Sequence, residues 1–212
     1  AEGVFGNRQV SGMPPWDGRS AGDVLLVLEG GLGDQIQQVR FARDIARRGC
    51  RVVVACSPDL AGLFRGLDGV SAVCQHAAVG GVYHDFHVQG MSAVVPLGYE
   101  YADLDGRPYI LKREPTGGSL KIGLRWQGNP RFEEEQHRLF DPRLMFDAVE
   151  GFDADFISLQ RDVAVEARPD WVTHVPLDTW EQTARVIAGL DLVISSCTAV
   201  AHLSAAMGVP TW

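Results

Sequence analysis

The feature that most constrains this chain is a repeated alternation of short aliphatic runs, glycine-rich turns and stretches with apolar residues at helical spacing. Val24-Leu25-Leu26-Val27-Leu28 leads into Gly30-Gly31-Leu32-Gly33, after which Ile36, Val39, Phe41, Ala42, Ile45 and Ala46 recur at helical spacing until Gly49. A second aliphatic run, Arg51 to Cys56, precedes a helix opened by Ser57 or Pro58 and carried through Leu60, Leu63, Phe64 and Leu67, with a short strand expected near Val70 to Val73. Strands that are apolar throughout imply a parallel sheet covered on both faces, because a sheet wetted on one side alternates apolar with polar residues. The expected fold class is α/β, built from βαβ units.

The pattern weakens between about His76 and Pro115, where Tyr83 to Val88 and Ala93 to Leu97 are the expected strands, and it closes in a linker, Arg113-Glu114-Pro115-Thr116-Gly117-Gly118. A second series follows: strand Leu120 to Trp126, turn Gly128-Asn129-Pro130, an acidic loop, helix Pro142 to Val149, strand Asp155 to Leu159, short helix Val163 to Ala167 and strand Val172 to Val175. It continues with helix Trp180 to Ala188, strand Asp191 to Ser195, helix Thr198 to Met207 and a last strand from Val209. Residues 1–20 carry no period and read as a lead-in, 21–115 as one doubly wound domain and 119–212 as a second. The second domain is expected to be incomplete, because the sequence stops at Trp212 a few residues into a strand.

Composition narrows the function. Nineteen Lys and Arg against 27 Asp and Glu give a net charge of −8, a poor match to a phosphate-backbone partner, so nucleic acid is not expected. No apolar run approaches the roughly 18 residues that span a bilayer, and no basic-then-apolar signal opens the sequence, so no transmembrane segment and a cytoplasmic location are expected. Cys50, Cys56, Cys74 and Cys197 are dispersed without a CxxC pair, which favours reduced thiols over a disulfide or metal site.

Ligands of open parallel sheets sit outside the carboxyl ends of the strands, where helix N-termini aim N–H groups at anions. Glu29-Gly30-Gly31-Leu32-Gly33-Asp34 is such a turn; its glycine spacing is neither that of a Walker loop nor GxGxxG. Asp34 is there either a helix cap or a functional carboxylate beside the cleft. The second turn is Ser195-Ser196-Cys197-Thr198-Ala199-Val200-Ala201-His202, whose hydroxyls and helix amides suit a diphosphate, with His202 one turn beyond Thr198. Its small residues suit close helix–sheet packing equally well, and His202 reads as a packed or capping residue on position alone. The third is Trp126-Gln127-Gly128-Asn129-Pro130, followed by Glu133-Glu134-Glu135 and then Arg138, a cation able to neutralise a diphosphate. His84 and His87 are three apart on an expected strand and so face opposite sides, which argues against a shared metal.

Taken in order, Pro15-Trp16-Asp17-Gly18, LLVLEGGLGDQIQQVRF (Leu25 to Phe41), IGLRWQGNP (Ile122 to Pro130), ISLQRD (Ile157 to Asp162) and DLVISSCTAVAHLSAAMGVPTW (Asp191 to Trp212) resemble the glycosyltransferase family 9, or heptosyltransferase-like, domain. The likeness is nearest to the copies found behind tetratricopeptide repeats in bacterial proteins, and it runs from about residue 15 to Trp212. It implies a GT-B fold, with two Rossmann-like domains facing a cleft, and metal-independent transfer of a sugar from a nucleotide-diphosphate sugar, with no cofactor. The implied acceptor is a glycan, a lipid-linked sugar or a protein, and fused or neighbouring tetratricopeptide repeats are implied partners.

Carried over by position, Asp34 is the catalytic base behind the acceptor-side loop Gly30, Gly31 and Gly33. The implied nucleotide-sugar residues are Gln127, Asn129, Arg138, Ser196, Cys197, Thr198, Ala199 and His202. Heptosyltransferases usually carry Asp-Thr where this sequence has Cys197-Thr198, so one expected carboxylate is missing. That departure, together with a short first half, also supports a non-catalytic nucleotide-binding or scaffold domain. A nucleotide-sugar epimerase would need further acid and base residues, and none is located.

Overall fold

The computed structural model describes residues 11–111, 117–128, 140–161 and 168–212. Asn129, Arg138, the Glu133–Glu135 run, the segment Val163–Ala167 expected as a helix and most of the Arg113–Gly118 stretch expected as a linker lie outside these residues. The chain divides into two compact units, residues 1–106 and 107–212. Arg107 to Ile110 go with the second unit, where the Tyr109 and Ile110 amides both donate to the Ala206 carbonyl.

The first unit holds β1 (Asp23–Val27), α1 (Leu32–Gln38), α2 (Phe41–Ala46), β2 (Arg51–Cys56), α3 (Ala61–Phe64), β3 (Ala72–Gln75), β4 (Phe86–Gln89) and α4 (Val94–Leu97). Its four strands are all parallel, in the order β3-β2-β1-β4. Leu25, Val27, Val53, Ala55 and Val79 form one core cluster, while Val24, Leu26, Val52 and Val54 on the alternate positions are fully buried as well. Burial on both faces is the physical reason for the unbroken aliphatic runs.

The second unit holds β5 (Lys121–Arg125), α5 (Pro142–Val149), β6 (Asp155–Ser158), β7 (Val172–His174), α6 (Trp180–Ala188), β8 (Leu192–Ser195) and α7 (Ala199–Ala206). Its order, β7-β6-β5-β8, repeats that of the first unit, again parallel throughout. Ile122, Leu124, Trp126, Phe146, Phe156 and Val172 form its core on one face, with the Trp126 and Phe146 rings edge to face at 5.1 Å. On the other face a Cβ at Gly123 would lie 2.6 Å from both Leu159 Cδ1 and Leu190 Cδ1, so only glycine lets these leucines close over β5.

Three local expectations are corrected. Ala93 to Leu97, expected as a strand, turns into α4, with Pro96 in the first turn where its missing N–H costs nothing and Gly98 ending the helix at φ +66°. The strand expected over Tyr83 to Val88 starts only at Phe86 and runs to Gln89, because the Asp85 carboxylate takes the Asp23 N–H at 2.8 Å and ends the ladder there. The third strand is Ala72–Gln75, two residues later than the Val70 to Val73 run, since Val53 to Cys56 of β2 set its register.

The stretch before Asp23 also enters the fold. Pro15 bridges to His87 alongside β4, the Trp16 amide donates to the His87 carbonyl at 2.8 Å, and the Trp16 ring is 3% exposed. The second unit mirrors this arrangement: Thr211 bridges to Val193, and Pro210 to Trp212 exchange backbone hydrogen bonds with β8. The outer edge of the fourth strand is thus paired in both sheets.

Candidate functional site

With the strand order third, second, first, fourth, the chain reverses direction across each sheet between its first and fourth strands, which is where doubly wound folds bind ligands at the carboxyl edge. In the first unit this point lies between β1 and β4, and in the second between β5 and β8. The Gly30–Asp34, Gln127–Gly128 and Ser195–Thr198 turns all leave strands beside these two points.

In the first unit Gly30 has φ +75°, and a Cβ there would fall 2.6 Å from Asp34 Oδ2, so a side chain is excluded by both strain and space. Gly31, not Asp34, is the residue that caps α1; Asp34 is the third helical residue, and its Oδ2 reaches back to accept the Gly31 N–H at 2.8 Å. Gly33 lies within the first turn of α1. Among the described residues Asp34 Oδ1 takes no hydrogen bond, so one oxygen holds the turn and the other is uncommitted.

Sequence reasoning missed what lies beneath this turn. Gln35 is 2% exposed; its Nε2 donates to the Gly30 carbonyl and to Ser57 Oγ, and its Oε1 accepts the Ser57 N–H. Gln38, also buried, brackets the Glu29 peptide, accepting its N–H at 2.8 Å and donating to its carbonyl at 3.0 Å. The available signal was two glutamines on the face of α1 that should have been apolar.

In the second unit α7 starts after Thr198, whose side chain makes no capping hydrogen bond to the helix. Its Oγ1 lies 3.3 Å from Ser195 Oγ, and that hydroxyl donates to the Ser196 carbonyl at 2.7 Å. Ser196 Oγ is buried with no hydrogen-bond partner among the described residues, an arrangement that costs about 1–3 kcal/mol when nothing satisfies it. Cys197 is exposed and forms no disulfide; Ala199 opens the helix and His202 follows one turn beyond Thr198. Gln127 sits just past β5, its N–H and carbonyl both engaged by the buried Gln160 side chain.

Arg125, also missed, is 5% exposed at the end of β5, in register with Ser195; it donates to the Leu159 carbonyl, and its own carbonyl accepts the Ser196 N–H. This is a positive charge built into the sheet end beside the serine turn, legible in sequence as a cation at the carboxyl end of an apolar strand. His84 and His87 take different partners, the Val82 carbonyl and Ser11 Oγ. Among the described residues no group of three or more His, Cys, Asp or Glu is placed to hold a metal ion, and no helix is long and apolar enough to cross a membrane.

Two parallel four-stranded units of identical strand order, each with its loops at the reversal point, define a paired Rossmann-like α/β protein. In fold the chain is similar to several solved sugar-transferring enzymes. One is the bacterial iron-containing dodecameric glycosyltransferase TibC from enterotoxigenic E. coli H10407, at 11% identity and a TM-score of 0.65, covering 91% of this chain and 57% of TibC. Another is the E. coli heptosyltransferase WaaC with ADP-2-deoxy-2-fluoro heptose, at 14% identity and a TM-score of 0.62, covering 89% of this chain and 87% of WaaC. A third is the E. coli ADP-heptose lps heptosyltransferase II, at 11% identity and a TM-score of 0.56, covering 89% and 83%. The chain therefore spans little more than half the length of TibC. No protein-family model and no curated protein matches the sequence. The chain has the GT-B-like fold of the heptosyltransferases.

Proposed function

We propose that the protein is a glycosyltransferase-like enzyme that binds a nucleotide-diphosphate sugar in its second unit and transfers the sugar to an acceptor hydroxyl deprotonated by Asp34 of its first unit. The observation that carries this reading is the buried Ser196 hydroxyl at the start of α7, without a hydrogen-bond partner among the described residues, beside a Thr198 hydroxyl that does not cap the helix. An eight-residue helix leaves its opening amides without intrahelical partners, and those amides with two hydroxyls suit a diphosphate. The likeness to WaaC, solved with ADP and with a fluorinated ADP-heptose, supports the ligand class.

In the reaction the acceptor oxygen forms a bond to the anomeric carbon, the bond from that carbon to the phosphate oxygen breaks, and the acceptor proton passes to Asp34. The leaving diphosphate gains negative charge, which the α7 amides, Ser196 and Thr198 stabilise, with Arg138 as a further cation and Asn129, Gln127, Cys197, Ala199 and His202 completing the donor site. No metal is required by this scheme. A glycan, lipid-linked sugar or protein acceptor, a tetratricopeptide array beside the domain and a cytoplasmic location belong to the same reading. A non-catalytic nucleotide-binding domain is the second reading, favoured by the Asp34 bond to Gly31, which gives that carboxylate a structural task.

Calorimetry with ADP, UDP and GDP is expected to show binding to at least one, with a Kd on the order of 10 µM, about −7 kcal/mol. Ser196→Ala should weaken that binding by roughly 10–100-fold, the scale of a hydrogen bond to a charged group, while leaving stability unchanged or slightly raised because an unsatisfied buried hydroxyl is removed. Absence of heat with all three nucleotides, or loss of stability without loss of affinity in Ser196→Ala, overturns the proposal.

Cys197 supplies an independent check. Burial, aided by the Cys74 thiol and opposed by Arg65, pushes the Cys56 thiol up to about 11, and Cys50 is buried as well. Iodoacetamide at pH 8 should therefore label exposed Cys197 first, and bound nucleoside diphosphate should slow that labelling. Mass spectrometry that finds Cys197 alkylated at the same rate with and without saturating nucleotide would place the ligand elsewhere.

A further inference from the structure

The same device holds both ligand-edge loops. Glu29 is the second residue past the end of β1, and Gln127 is the second residue past the end of β5. Each follows a fully buried apolar residue, Leu28 or Trp126, and each precedes a glycine, Gly30 or Gly128. At both, one buried glutamine side chain spans the peptide. Gln38 accepts the Glu29 N–H at 2.8 Å and donates to the Glu29 carbonyl at 3.0 Å; Gln160 accepts the Gln127 N–H at 3.3 Å and donates to the Gln127 carbonyl at 3.1 Å.

The oxygen of a primary amide and one of its two N–H groups reproduce the acceptor and donor that a strand residue presents, so the side chain continues strand pairing for one residue beyond the ladder. Gln160 is fully buried and Gln38 is 6% exposed, which keeps water from competing for these bonds. The two glutamines come from unrelated places, Gln38 from α1 nine residues after its target and Gln160 from beyond β6, thirty-three residues after its own. Repetition of a local sequence pattern therefore does not explain the match. Space is reserved for one of them: a Cβ on Gly90 would lie 2.1 Å from Gln38 Oε1.

We propose that Gln160 and Gln38 are positioning residues that hold the Gln127–Gly128 and Glu29–Gly30 loops in their ligand-receiving conformations before ligand arrives. For Gln160 this rests on the reading above, in which the Gln127 loop meets the nucleotide-sugar. Preorganisation strengthens binding because a loop that must be ordered on binding lowers apparent affinity by the fraction of time it is competent.

The test compares the intact protein with Gln160→Met, which keeps the length and loses the amide, and with Ile187→Ala, a truncation in the buried face of α6 that serves as a stability control. Amide exchange at Gln127 should accelerate at least 10-fold in Gln160→Met and return towards the wild-type rate with saturating ADP. ADP affinity should fall about 10-fold in Gln160→Met and stay within about 2-fold in Ile187→Ala even where the control melts lower. In the first unit Gly90→Ala, which displaces the Gln38 amide, should accelerate exchange at Glu29 while leaving ADP affinity unchanged.

Unchanged exchange at Gln127 in Gln160→Met overturns the clamp, and so does an equal loss of affinity in Ile187→Ala, since destabilisation alone then accounts for the effect. Accelerated exchange in a protein whose wild type binds no nucleoside diphosphate is a different failure. It overturns the nucleotide reading and the ligand-receiving role of Gln160 together, while leaving Gln160 as a structural bridge.

Discussion

Replacing Asp34 with Asn is expected to lower sugar transfer by roughly 10²–10⁴-fold, the usual contribution of a general base, while nucleotide affinity stays within about 2-fold of wild type. The carboxamide keeps an oxygen that accepts the Gly31 N–H, so the turn before α1 survives, and the loss of one negative charge near a helix start costs only about 0.3–1 kcal/mol. A 10²–10⁴-fold drop corresponds to about 3–5 kcal/mol on the barrier, well outside that structural effect. Asp34→Ala removes the bond to Gly31 as well, and its stability loss should be about 0.5–2 kcal/mol, at the low end because Gly31 is exposed and water can replace the carboxylate. Both variants need melting temperature, nucleotide affinity and transfer rate measured together. Transfer that survives in Asp34→Asn identifies the carboxylate as a structural group only and returns the protein to the non-catalytic reading. Transfer lost together with melting temperature in both variants would trace the effect to the turn and not to the base.

Trp16→Ala should destabilise the first unit by about 3–5 kcal/mol, a large part of the 5–15 kcal/mol that ordinarily separates a folded domain from its unfolded chain. The ring is almost wholly buried, its Nε1–H donates to the Ser20 carbonyl at 2.9 Å, and its backbone extends the sheet beside β4 through His87. Arg48 ties the neighbourhood together, with its guanidinium 6.0 Å from the ring centre and hydrogen bonds to the Gly18 and Leu97 carbonyls. Gly18 admits no side chain, since at φ +80° its Cβ would meet the Pro96 carbonyl oxygen at 1.9 Å. Trp16→Phe, which keeps most of the buried area but loses the indole hydrogen bond, should cost about 1–2 kcal/mol. Denaturant titration of the two variants, with the midpoint shifting at constant slope, measures both losses. A change below about 1 kcal/mol in Trp16→Ala would mean that the 11–20 stretch decorates the first unit without stabilising it.

The candidate site's turns were readable from residues close together in the sequence. A doubly buried strand needs an unbroken aliphatic run, and a turn that brings backbone near a ligand needs glycine; Val24 to Gly33 records both demands within ten residues. The β8 turn into α7 is legible on the same terms, because Ser195, Ser196 and Thr198 precede a run of small residues at helical spacing. The parallel class of both sheets followed from unbroken aliphatic runs alternating with helical segments. Ala93 to Leu97 misled because valine and alanine in a short run carry strand and helix preferences of similar size, and the local helical bonds ending at Gly98 decided between them.

What sequence by itself determined about this protein is its α/β class, its two series of parallel strands and the turns at which chemistry is to be sought, since each depends on side chains within one strand–turn–helix unit. Tertiary structure alone decided the rest. It paired Pro15 with His87 across seventy-two positions, drew Gln160 onto the Gln127 peptide, gave one Asp34 oxygen to Gly31 and left Ser196 Oγ buried without a partner among the described residues. The physical reason is that a buried polar group must find its partner wherever the packed chain brings one, and a linear pattern of apolar and polar residues carries no address for a partner supplied by another strand.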